Sequence, residues 1–135
     1  MSKPEITLCV PGEKAYALVL RLALGGVAIL KDLDAGTLDD LRVASDEACD
    51  CLLHQGRDVN TLTLSVVDGG NDLTVSIAAD FACGEQVMPE DCREETEISR
   101  TVLETLVPQV ALHAADCGCI ARIDLTLPKA VRVGA

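Results

Sequence analysis

The sequence is nearly devoid of aromatic side chains: of 135 residues, one is Phe, one is Tyr and none is Trp. A hydrophobic content of 49% must therefore come from Leu, Val, Ile and Ala, so the core is aliphatic. The platforms on which single-stranded nucleic acid or sugars stack are missing too. Basic residues are also scarce, with 11 Lys and Arg against 22 Asp and Glu and a net charge of -11. That balance excludes a phosphate backbone or an anionic membrane as the first choice of partner. A bilayer-spanning run is absent: the longest apolar stretch, Ala15 to Leu30, is broken by Arg21 and falls short of roughly 20 residues. The opening M-S-K-P-E-I-T-L has no apolar segment beside its Lys and does not read as a secretory signal. Neither G-x-x-x-x-G-K-[ST] nor G-x-G-x-x-G occurs, so no standard phosphate cradle is written in the chain. Seven cysteines, an odd number, fit reduced thiols in a cytoplasm better than a disulfide frame.

What is present fits one domain, residues 1–135. Glu5 to Val10 alternates as a strand and stops at Pro11-Gly12. Glu13 to Asp32 reads as a helix with Tyr16, Leu20, Ala23, Leu24, Val27 and Leu30 on one face. Gly25-Gly26 inside it costs about 1 kcal/mol per residue relative to Ala, which suggests close approach of another backbone or a kink. Asp34 to Gly36 is expected to be a loop, and Thr37 to start a second helix with Asp40 as a capping box. Its buried stripe is Leu41, Ala44, Ala48, Cys51 and Leu52. Leu62 to Val67 and Leu73 to Ala78 alternate as strands around the turn Asp68-Gly-Gly-Asn71. Asp80 to Glu97 shows no period and reads as a long loop. A helix from Glu97 to Val107 and a hairpin of 110–115 with 120–127 complete the chain. Five strands with grouped helices predict an α+β, two-layer sandwich.

Three constellations have possible chemistry. Asp46 and Glu47 sit mid-helix, with Glu47 at the edge of the buried stripe. They are either a solvated acidic face or the seat of a general base. The pairs Cys49/Cys51 and Cys117/Cys119, with His54 and His113, could bind metal. Their C-x-C spacing departs from the usual zinc knuckle, and buried reduced thiols are the competing account. Cys51 and His54 are helical neighbours at i, i+3, yet no oxyanion-hole motif accompanies them.

The residues Tyr16, R-L-A-L-G-G-V-A from Arg21 to Ala28, and D-D-L-R-V-A-S-D-E-A-C from Asp39 to Cys49 resemble the bacterial anti-sigma factor/serine-protein kinases of the GHKL ATPase superfamily. The resemblance covers nearly the whole chain and is poorest in the loop after Asp80. It implies the Bergerat, or histidine-kinase-like ATPase, fold: a five-stranded mixed sheet with about three helices on one face. It implies ATP and Mg²⁺ as cofactors, with Glu47 as the base that activates a partner's serine. Cys51 falls at the Mg²⁺ position, and Asp80, Ala82 and Gly84 fall in the adenine box. The implied partners are a sigma factor and a STAS-type anti-anti-sigma protein, and relatives commonly form homodimers. The departures are specific. Cys51 replaces an Asn and offers no hard oxygen to Mg²⁺. Ala82 replaces the middle glycine of the box, and the lid glycines are missing. These changes point to a degenerate member that acts by binding; the alternative is an active serine kinase.

Overall fold

The computed structural model describes residues 3–82 and 90–129. Its elements follow in the order β1 (Ile6–Pro11), a 3-10 turn (Lys14–Tyr16), α1 (Ala17–Leu30), α2 (Ala35–Leu53), β2 (Val59–Asp68), β3 (Asp72–Phe81), α3 (Glu90–Leu106), β4 (Gln109–Ala114) and β5 (Ile120–Pro128). The sheet order is β1-β2-β3-β5-β4. The expected α+β sandwich is present, but all four strand pairings are antiparallel, so the sheet is not mixed. The reason lies in the connections. Each element reverses the chain, and sheet neighbours are separated by one or three such reversals, which leaves every neighbour antiparallel.

Period-two alternation decides which face of the sheet is covered. Leu62, Leu64 and Val66 of β2, Leu73, Val75 and Ile77 of β3, and Ile123 and Leu125 of β5 are buried beneath the helices. Thr61, Thr63 and Ser65 point the other way and are half-buried, as the alternation predicts. The core is aliphatic, with Leu20, Leu24, Leu41, Leu52 and Leu103 sealed at 1% exposure or less.

Three local expectations are corrected. Helix α2 begins at Ala35, because the Asp34 carboxylate accepts from the Thr37 N–H at 2.7 Å and is the N-cap. The expected loop at 34–36 therefore becomes a cap and the first helical turn. On α1, Leu20, Leu24, Val27 and Ala28 are buried, whereas Tyr16 and Leu30 face outward. The helix runs straight through Gly25-Gly26, and the group pressing on Gly25 is the Arg42 guanidinium, 3.1 Å from where a Cβ would sit. Lastly, the acidic stretch from Glu90 to Glu97, read as loop, belongs to α3. Its Cys92, Thr96, Ser99 and Leu103 recur at helical spacing. Among the described residues no helix is long and apolar enough to cross a membrane.

Candidate functional site

Helices α2 and α3 run antiparallel over the sheet, and a cavity of about 350 Å³ opens between them. Asp50, Cys51 and His54 line it from α2 and its C-cap, and Cys92, Glu95, Thr96 and Ser99 from α3. Small residues make the opening possible: Ala44 and Ala48 seat α2 on the core, and the hydroxyls of Thr96 and Ser99 leave space that Leu would fill.

Glu47 is half-buried one turn before Cys51. Ser99 Oγ donates to Glu47 Oε1 at 2.8 Å, which fixes the carboxylate at the end of the cleft. Cys51 is buried, and burial pushes its thiol up. Hydrogen bonds from Ser99 and Thr96 oppose that rise, the Glu47 charge adds to it, and the Arg100 charge works against it. The net direction keeps Cys51 protonated at neutral pH, a poor nucleophile. His54 Nδ1 donates to the Asp50 carbonyl at 2.8 Å. Thr96 Oγ1 donates to the Cys92 carbonyl at 2.8 Å.

Two more acids of α2 are paired at the surface, with Asp46 meeting Arg21 at 3.2 Å and Asp50 meeting Lys14 at 3.8 Å. Cys49 points into the core instead, and burial pushes its thiol up to about 12. Thus Cys49 and Cys51 are both covered, by different neighbours. No disulfide joins the described cysteines, and no group of three or more metal-binding side chains converges among the described residues.

The adenine-box positions sit elsewhere. Asp80 is exposed at the end of β3, where Asn60 Nδ2 donates to Asp80 Oδ2 at 3.4 Å, and Ala82 is exposed just beyond the strand. Neither is among the residues lining the cavity. Gly84 lies outside the described residues. Of the residues singled out in the sequence, Cys51 and His54 line the cleft, and Glu47 is tied to it only through the hydrogen bond from Ser99. Sequence reasoning missed Glu95, Thr96 and Ser99 and left Cys92, a candidate sensor thiol, in a loop, although the 92-96-99-103 spacing was the available signal.

The described lining offers carboxylate oxygens but no cationic side chain to a triphosphate. The described lining contains two carboxylates, two thiols, two hydroxyls and an imidazole, and no Lys or Arg. Carboxylates repel phosphate oxygens, and a buried protonated thiol is too soft a ligand for Mg²⁺. Arg100, whose charge reaches Cys51, is engaged with Glu97 at 3.6 Å.

No family model and no curated protein matches the chain. A solved structure does: the crystal structure of the RsbU and RsbW domains of Rv1364c from Mycobacterium tuberculosis, with a TM-score of 0.63 at 14% identity. The match covers 98% of this chain and 35% of that one, so this chain spans about a third of the length of the chain it matches. At such identity the likeness concerns the fold. The chain shares with that structure an α+β sandwich fold.

Proposed function

We propose that this chain is an anti-sigma-factor-like regulator of bacterial transcription that acts by binding proteins. Its partners would be a sigma factor, a STAS-type anti-anti-sigma protein, or both. The observation that supports this reading best is the outer face of α1. Leu18, Leu22, Ile29 and Leu30 are 59%, 65%, 80% and 71% exposed, on a helix whose inner face is already satisfied by the core. So many large aliphatic side chains on one exposed helix mark a surface that another protein covers. The cleft adds weight, because its described lining is ill suited to the cofactor that the resemblance implies.

Purified candidate partners, passed over the immobilised chain, test this reading. Capture of a sigma factor or STAS protein by the wild type, and its loss in Leu22→Glu, is the expected result. Capture of neither class overturns it.

The second reading, an ATP-dependent serine kinase, draws on Glu47, a half-buried carboxylate oriented by Ser99. Such a group can take a proton from a hydroxyl held within hydrogen-bond reach. A calorimetric titration with ATP, with and without Mg²⁺, separates the readings. Micromolar Mg²⁺-dependent binding, with phosphate transfer that Glu47→Ala abolishes, moves the kinase ahead. No heat and no thermal shift leave the binding module.

A further inference from the structure

The β4–β5 hairpin carries Cys117-Gly118-Cys119 at its tip. Its backbone is closed by the Ala115 N–H donating to the Cys119 carbonyl at 2.8 Å and the Gly118 N–H donating to the Ala115 carbonyl at 2.9 Å. Gly118 has φ of 89°, a left-handed conformation that side chains resist, and the chain folds back there. Residues two apart in so tight a turn fall within the Cα separation a disulfide needs, about 4.4–6.8 Å. Cys119 is fully buried and Cys117 half-buried, so one thiol is accessible and the other is held behind it.

The tip is anchored to the end of α2. Gln55, 2% exposed, donates from Nε2 to the Ile120 carbonyl at 2.8 Å and accepts from the Ile120 N–H at 2.6 Å. This clamp ties the end of α2 to the hairpin two residues before Arg57, whose positive charge acts on the Cys119 thiol. Burial pushes that thiol up and the contact with Cys117 adds to the rise, while the Arg57 guanidinium works against both. Cys119 therefore keeps its proton at neutral pH, and Cys117 is the thiol that solvent reaches first.

We propose that Cys117 and Cys119 are a redox-active dithiol that exchanges with low-molecular-weight disulfides. The Cys117 thiolate attacks one sulfur of RS–SR, the S–S bond breaks, and RS⁻ leaves with the electron pair. Cys119 then gives up its proton beside Arg57 and attacks the Cys117 sulfur of the mixed disulfide. The second RS⁻ departs, and the protein disulfide remains. Two electrons pass from the dithiol to RS–SR, and two protons end on the released thiols. A disulfide closed across one residue is strained, so it is readily reduced again and suits exchange rather than structural support.

The full-length reduced chain, equilibrated at graded ratios of glutathione disulfide to glutathione, acid-quenched, alkylated and digested with trypsin, tests this. The peptide Thr101–Arg122 contains these two cysteines and no others. The expected result is conversion of that peptide to a form lighter by two hydrogens that takes no alkyl label. Cys119→Ser should stop at a stable mixed disulfide of Cys117 with glutathione. Cys117→Ser, left with the buried thiol, should react at least about tenfold more slowly. A wild-type peptide that takes two labels at every ratio overturns the proposal, as does a doubly glutathionylated one.

Discussion

The outer face of α1 and the cleft between α2 and α3 expose opposite chemistry within one helical layer. The first presents Leu18, Leu22, Ile29 and Leu30 on an open convex surface. The second encloses Asp50, Glu95, two thiols and two hydroxyls in a concave one. An apolar convex face gains by being covered with another apolar surface, whereas a polar cleft gains by directed contacts with something small. The same sandwich therefore holds an exposed apolar face and a ligand-sized recess, and mutations should separate them.

The largest effect belongs to the layer that supports both. Leu103 is fully buried on α3, so Leu103→Ala should cost about 2–5 kcal/mol. Urea denaturation would measure it, and a cost near zero would mean that α3 is not seated as described. Next, Leu22→Glu should change stability by no more than about 0.5 kcal/mol yet weaken partner capture at least tenfold, about 1.4 kcal/mol. Unaltered capture would remove α1 from the interface. A smaller effect is expected in the cleft, where Ser99→Ala deletes the donor to Glu47 and should cost about 1 kcal/mol. Partner capture should survive that change, because the cleft and the outer face of α1 are separate surfaces.

The smallest effect concerns neither surface and serves as the control. Lys129, the Gly70 N–H and Lys31 hold the Asp68 carboxyl well below its ordinary 3.8. A depressed carboxyl contributes stability above its unfolded value, and that stability is lost as pH falls through the lower folded one. The urea midpoint should therefore drop as pH is lowered from 5 towards 2, and Asp68→Asn should flatten the drop. An unchanged slope in the variant would show that the Lys31–Asp68–Lys129 cluster is worth little.

Much of the fold was legible before any coordinates. The strands announced themselves by strict alternation, and the Asp68-Gly-Gly-Asn71 turn marked a hairpin that the structure forms between Asp68 and Asp72. Helix α2 was legible from Leu41, Ala44, Ala48 and Leu52, although its cap was placed three residues late. The Asp34 side chain bonds to a backbone N–H, and Thr37 was an equally good candidate by type. The first turns of α3 were hidden by composition: E-D-C-R-E-E-T-E has too few apolar residues to show a period, and small polar ones face the cleft. The site was legible only in part. Glu47 stood out at the edge of the buried stripe and Cys51 beside His54 at i, i+3, and the resemblance singled out Glu47 and Cys51 again, while Ser99, which orients Glu47, lies 52 positions away.

The sequence by itself determined an aliphatic core, the strand and helix periods, and a strongly acidic surface, because each depends on residue type and local spacing. Tertiary structure alone decided that Thr96 and Ser99 meet Cys51, that Gln55 clamps Ile120, and that the Arg57 charge acts on Cys119. Those contacts join residues far apart in the chain. They exist because the antiparallel sheet stacks the ends of its helices and hairpins side by side, a consequence of packing that no local pattern encodes.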